Sequence, residues 1–297
     1  MVVFLLAMQI PFQKIENELT QTKGINLHIL RLDTLDFFAG GNKFFKLKYN
    51  LEEAQKLGYK KIITFGGAWS NHLAACAVTG EKSPLKFIAI VRGERPKTLS
   101  DTLKFCEEKG IGLHFVSREE YRKKTNEEFI ADLKNKFGDF YLLPEGGSNK
   151  LAVKGCSEIV NYIPIDFDVV CCPVGSGGTL AGIVSSLKPH QQAIGFSALK
   201  GATDLQERIE NLLSKNTHHS SFKIIQDYHF GGFAKTTPEL LSFKKNFETE
   251  FDFELDYIYT SKMLFGIFDL IQKNYFKPNT TLVAIHTGGL QGNKGFE

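Results

Sequence analysis

Rhythm is what most narrows the folds open to this chain. Short apolar runs of strand length alternate with longer stretches of helical spacing, from residue 26 to residue 289. The runs at 26–32, 61–67, 86–93, 112–117, 140–149, 167–175, 192–198 and 280–289 read as strands. Between them, 45–59, 70–80, 98–110, 119–138, 151–163, 179–188, 204–215, 238–251 and 261–276 read as helices. In the first of these Leu47, Leu51 and Ala54 share one face; in the second Ser70 reads as the N-cap and Gly80 as the stop. Strands alternating with helices predict parallel sheets covered by helices, the open α/β class. Two such runs predict two mostly parallel α/β layers with a cleft between them. Ligands in this class sit beyond the carboxyl ends of strands. Glycine clusters fall at such ends or at helix starts: 40–41, 66–67, 175–178 and 288–289.

Composition removes several alternatives. At 42% hydrophobic and 23% charged, the 297 residues supply a real core. A formal charge of +3 without a dense basic stripe argues against nucleic acid as a partner. The five cysteines are odd in number and form no C-x-x-C pair, which disfavours a disulfide framework or a cysteine zinc site and fits a reducing cytoplasm. No histidine, cysteine or carboxylate grouping has metal-ligand spacing. The opening run MVVFLLAM lacks a basic start and a cleavage site and is far too short to span a bilayer, so no membrane role is expected. It reads as a first strand or as residues ahead of a start at Met8.

Three stretches carry chemistry. In FFAGGNKFFKLKYN, Lys43 stands where a glycine loop becomes a helix, flanked by Phe38, Phe44 and Phe45; it is either an ordinary surface lysine or one held for reaction. VGSGGTLAG follows a strand and opens a helix, so its backbone N–H groups suit a phosphate. It has no P-loop lysine, and Leu180 replaces the third glycine of a dinucleotide fingerprint. What remains is either a tight turn or a cup for one small phosphate, made by Gly175, Ser176, Gly177, Gly178 and Thr179. GGAWSNH repeats the design: residues 70–72 suit an anion such as a substrate carboxylate, or Ser70 only caps the helix. Ala68 and His72 rule out a G-x-S-x-G nucleophile elbow around Ser70. A lysine together with a phosphate cup that is not a P-loop points to pyridoxal 5'-phosphate, which needs both. Of the other histidines, His28 and His114 read as structural, His218 and His219 as solvent-facing, and His286 and His72 as neighbours of the site.

In order along the chain, GGNKFFKLKYNL, GGAWSNHLAACA, LPEGGSN, VGSGGTLAG, LDYIYTSKM and HTGGLQG resemble one family. It is the D-cysteine desulfhydrase and 1-aminocyclopropane-1-carboxylate deaminase family, among the fold type II (tryptophan synthase β-like) pyridoxal phosphate enzymes. The likeness runs from PFQKI at 11–15 to the last residues. It implies a larger cofactor-binding domain of residues 1–45 and 155–297, with a smaller α/β domain, 46–154, inserted into it. Lys43 looks like the Schiff-base lysine and catalytic base, and Asn71 like the partner of the cofactor's ring oxygen. Ser70, Asn71, His72 and Tyr259 look like the substrate side. The 175–179 loop looks like the phosphate cup, with Thr260 and Thr287 near the cofactor ring; Lys46 matches a second lysine, read here as structural. Two features depart from the deaminases: Thr260 stands where those carry glutamate, and Thr287 breaks their H-L-G-G run. Phe45 also replaces a position that is commonly arginine in the family. The threonine pair resembles the desulfhydrase branch, so β-elimination to pyruvate, ammonia and sulfide is expected. Cyclopropane ring opening to α-ketobutyrate is the alternative, and a non-catalytic cofactor-binding or metabolite-sensing protein is another. The family implies a cytoplasmic homodimer acting on a small amino acid.

Overall fold

The computed structural model describes residues 9–35, 40–213 and 221–296. Phe38, His218, His219 and the run 1–8 lie outside the described residues. The chain opens with β1 (Phe12–Ile15), α1 (Glu18–Lys23) and β2 (Asn26–Arg31), then α2 (Asn42–Lys56). Next come β3 (Lys61–Gly66), α3 (Asn71–Glu81), β4 (Lys86–Arg92), α4 (Asp101–Glu108), β5 (Gly112–Val116), α5 (Arg118–Arg122), α6 (Glu127–Phe137) and β6 (Tyr141–Leu142). The remainder is α7 (Lys150–Ser157), β7 (Val169–Val174), α8 (Gly178–Val184), β8 (Gln192–Ser197), α9 (Leu205–Leu212), β9 (Phe222–Ile225), α10 (Pro238–Phe251), α11 (Thr260–Gln272) and β10 (Thr281–His286).

Two sheets result. One has six strands in the order β1-β2-β10-β7-β8-β9, the other four in the order β5-β4-β3-β6. Every pairing is parallel except β1 with β2. This is the mostly parallel α/β architecture expected from the alternation. Because helices cover both faces, the central strands are apolar on both faces. Val170, Cys172 and Val174 of β7 and Val283 and Ile285 of β10 point into one core with α8 and α9. Val169, Cys171, Leu282 and Ala284 point the other way, into a core with α11. The smaller sheet divides likewise, Ile62 and Ala89 against α2 and α3, Ile63 and Ile90 against Tyr121 and Leu133.

Helix α2 belongs to both bodies. Phe45 packs in the core of the six-stranded sheet, edge-on to Tyr162, whereas Leu47, Leu51 and Ala54 pack under the four-stranded one. Several boundaries differ from those the pattern predicts. Helix α2 starts at Asn42, ahead of the predicted 45, because Gly41 turns the chain at φ +65°. Helix α3 runs through Gly80 to Glu81, so that glycine is not the stop. The single helix predicted over 119–138 is two, α5 with its own Ser117 capping box and then α6. The run 140–149 keeps only two residues of strand. Strands β1 and β9 and helix α1 were not read from the pattern at all.

Candidate active site

The carboxyl ends of β3, β7 and β10 converge on one cleft of about 1520 Å³. Gly40, Gly67, Gly175, Gly177, Gly288 and Gly289 all line it, so each of the four glycine clusters contributes.

Lys43 is placed by backbone contact. A Cβ on Gly41 would lie 2.0 Å from the Thr287 carbonyl oxygen, so only glycine lets the start of α2 meet the end of β10. Asn42 fixes the same corner. Its N–H donates to the Thr287 carbonyl at 3.2 Å, and its Nδ2 donates to Thr179 Oγ1 at 2.8 Å. Its Oδ1 accepts from Lys43 Nζ at 3.0 Å. Burial draws the Lys43 pKa down to about 7, the Lys46 cation pushes the same way, and the Asp256 carboxylate partly offsets both. An amine of this kind is substantially unprotonated at neutral pH and nucleophilic.

One helical turn on, the Lys46 side chain is 3% exposed. Its Nζ donates to Ser148 Oγ at 2.8 Å, Ser176 Oγ at 3.2 Å and the Gly146 carbonyl at 3.1 Å. Lys46 Nζ therefore lies against Ser176 of the 175–179 loop. The signal available in the sequence is its i, i+3 spacing from Lys43, which puts both amines on one helix face. Ser148 and Ser176 touch at 2.6 Å. A Cβ on Gly178 would stand 2.7 Å from Ser148 Oγ and 3.4 Å from Lys46 Nζ. Gly177 turns the loop at φ +90°. Gly175 lets the Tyr259 hydroxyl approach, since a Cβ there would lie 3.1 Å from it.

Across the cleft, Ser70 Oγ caps α3 by accepting from the Leu73 N–H at 3.3 Å. The N–H groups of Asn71 and His72 begin the helix and have no intrahelical acceptor. Asn71 Oδ1 accepts from Gln291 Nε2 at 2.9 Å, and its amide abuts Gly289. His72 turns inward: it is buried, with Nε2 2.7 Å from Thr64 Oγ1, and burial holds it neutral, well below its usual pKa. It borders the floor of the cleft while its hydrogen bond runs into the small body.

The fourth wall is the start of α11. Buried Asp256 accepts from the N–H groups of Ile258 (2.9 Å), Tyr259 (2.7 Å) and Thr260 (2.8 Å). Three such bonds fix the start of α11, from Ile258 to Thr260. Burial raises the Tyr259 pKa, and the Asp256 and Glu145 carboxylates raise it further, so its hydroxyl keeps its proton. Thr260 stands behind the lining, fully buried, and its Oγ1 has no hydrogen-bond partner among the described residues. Thr287 lines the cleft beside Gly288. His286 is buried behind them, its Nδ1 3.3 Å from Asp33. Asp256, Ser148 and Gln291 lie within the motifs LDYIYTSKM, LPEGGSN and HTGGLQG, which do not by themselves single them out. For Asp256 a signal existed, an acid just ahead of an apolar helix.

The family described as "Pyridoxal-phosphate dependent enzyme" matches residues 8–288. This chain belongs to that family. Within it, the chain is 30% identical to the "Bifunctional D-cysteine desulfhydrase/1-aminocyclopropane-1-carboxylate deaminase, mitochondrial" of Arabidopsis thaliana, covering 91% of this chain and 73% of that one. It is 26% identical to the "D-cysteine desulfhydrase" of Klebsiella pneumoniae, over 90% of this chain and 87% of that one. A solved structure described as an "ACC deaminase homologue" superposes with a TM-score of 0.82 at 26% identity, covering 97% of this chain and 92% of that one. The residues present fit the family's cofactor. Buried Lys46 donates to hydroxyls and a carbonyl, a cation ready for a phosphate. The cup has no room for a Cβ at Gly178. Gln291 Oε1, on the lining, and Thr260 Oγ1, behind it, are buried polar atoms awaiting a partner.

Proposed function

We propose that this protein is a lyase that eliminates the β-substituent of a small amino acid, with D-cysteine as the first candidate. The net reaction is D-cysteine plus water giving pyruvate, ammonia and hydrogen sulfide. The observation that carries this reading is the Lys43 amine, with its pKa drawn to about 7, between a phosphate-sized cup and the start of α3. In this reading Lys46, Ser176 and the Gly175–Thr179 backbone hold the phosphate, Asn71 meets the ring, and Thr260 lies behind the wall that the ring faces. When bound, pyridoxal phosphate supplies an electron sink for the pair left at the substrate Cα, shallower beside the Thr260 hydroxyl than beside a carboxylate. Elimination tolerates a shallow sink, because the departing thiolate carries the electrons away. Lys43 Nζ takes the proton from Cα at a pKa matched to neutral pH. Ser70 and the first N–H groups of α3 orient the substrate carboxylate. Tyr259, kept protonated, faces the β-substituent and offers it a proton.

The test is the Lys43→Ala protein. It should lose both the visible absorbance of a lysine-linked cofactor and all pyruvate formation from D-cysteine; a retained band removes Lys43 from its role. The ring-opening alternative draws support from the double name of the Arabidopsis relative. It prevails if the purified protein forms α-ketobutyrate from the cyclopropane acid faster than pyruvate from D-cysteine. Failure to turn over a broad panel of D- and L-amino acids would favour a non-catalytic binder.

We also take 46–154 as a smaller domain inserted into the larger one, with the border at Phe45 and Leu47, whose side chains pack in different cores. Hydrogen exchange showing both portions opening as one unit would count against that division. No helix among the described residues is long and apolar enough to cross a membrane, and all five cysteines are buried free thiols. These support a cytoplasmic setting, and the family likeness supports a homodimer. Sedimentation of the holoprotein as a monomer would remove the dimer.

A further inference from the structure

Another buried lysine lies outside the cofactor chemistry, at the far edge of the cleft. Lys262, in the first turn of α11, is 1% exposed. Its Nζ donates to the carbonyls of His229 at 2.9 Å and Gly232 at 2.8 Å. Both acceptors belong to the loop between β9 and α10, and both also accept backbone N–H groups within that loop, from Gly232 and Lys235. The loop is contorted: Phe230, Gly231, Gly232 and Ala234 all have positive φ. For the two non-glycine residues, such a conformation is unfavourable and persists only where neighbours over-determine it. The neighbours here are the Lys262 ammonium and the Phe230 ring, set edge-on to Phe265 at 4.9 Å.

Held this way, the loop presents Phe233 to the cleft. Phe233 lines it, is 44% exposed, and sits edge-on to the Tyr259 ring at 6.1 Å. Ala234 lines the cleft beside it, so the loop forms part of the cleft wall. Lys262 thus joins the start of α11, which carries Tyr259, to the loop that carries Phe233.

We propose that Lys262 is a positioning residue: it holds the 229–234 loop so that Phe233 bounds the substrate space beside Tyr259 and limits the size of the substrate's β-substituent. The inference rests on the reading of this cleft as an amino-acid site. The ligand class is a small amino acid with an apolar or thiol side chain, and bulkier thioethers are excluded by the Phe233 ring.

The test uses cofactor-loaded, full-length protein and compares kcat/KM for D-cysteine with that for S-benzyl-D-cysteine. Phe233→Ala should shift the ratio at least tenfold toward the bulkier substrate. Lys262→Met should shift it the same way, with the cofactor's visible absorbance intact and KM moving more than kcat. The double variant should add nothing to the larger single effect, since Lys262 acts through Phe233. An unchanged ratio in Phe233→Ala, or full additivity in the double variant, overturns the proposal. Should Lys262→Met fail to fold, Lys262→Gln takes its place in the same single and double comparison, and an unchanged ratio in that variant overturns the role of Lys262. If the wild type turns over no amino acid, it is the functional reading that has failed. The loop inference then rests on amide exchange in Phe233→Ala and Lys262→Met: residues 229–234 should exchange at least tenfold faster in the lysine variant than in wild type or Phe233→Ala, and equal rates refute it.

Discussion

Lys43 and Lys46 stand on one face of α2, and burial together with the Lys46 cation makes the Lys43 proton harder to keep. The Lys43 pKa falls from 10.5 to about 7 on folding. Between those values the unfolded chain holds a proton that the folded chain has released. Stability from this group therefore rises with pH across that window, and the cost is fully present below it. The same shift governs cofactor capture, since only the neutral amine attacks an aldehyde. Capture by apoprotein should accelerate about tenfold per pH unit below 7 and level off above it. Stopped-flow mixing with pyridoxal phosphate checks this; a flat profile from pH 5.5 to 8.5 contradicts the depressed pKa. Lys46→Met separates affinity from stability. A buried cation exchanged for an apolar side chain of similar length should leave the unfolding midpoint unchanged or raised. Cofactor affinity should fall about 10- to 100-fold, the worth of a charge-assisted bond of about 1.5–3 kcal/mol. Spectral titration and denaturant unfolding read the two quantities separately.

At the scale of elements, the site depends on how two helices begin. Gly41 lets α2 start against β10. Gly41→Ala combines a positive φ with a Cβ set into the Thr287 carbonyl, so it should lower stability by about 2–4 kcal/mol and abolish cofactor binding. Asp256 organises α11. Asp256→Ala removes the acceptor of three N–H groups and should lower kcat by more than tenfold while the fold survives, as read by assay beside circular dichroism. Much of this was legible in the sequence. The strands β2, β3, β4, β5, β7, β8 and β10 follow from apolar runs, and Lys43, Asn71 and the 175–179 loop follow from glycine placement and motif. The missing elements share a cause. Strands β1 and β9 are four-residue edge strands whose apolar pattern is too short to register, and only their partners β2 and β8 define them. The break between α5 and α6 lies at a polar stretch that helical periodicity alone does not interrupt. Site residues were missed for a related reason. Lys46 gains its meaning from Gly146 and Ser148, about a hundred positions away, and Lys262 from carbonyls some thirty positions away. A buried amine looks like a surface one until those partners arrive.

At the scale of the whole molecule, the net charge is small but unevenly placed. Arg92, Arg118, Arg122, Lys124 and Arg208 line the cleft, against one acid, Glu145. An anionic cofactor should be drawn in, and capture should slow roughly three- to tenfold between low salt and 0.5 M salt, as steering of this kind is screened. Capture that ignores ionic strength would show that these cations are idle. The shared helix α2 has a mechanical consequence as well. Phe45 is anchored in one body and Leu47 in the other, so any swing of the smaller body must bend or turn the chain at that point. Lys43 stands two residues before that point, so a turn there would carry the walls of the smaller body farther than it carries the start of α2.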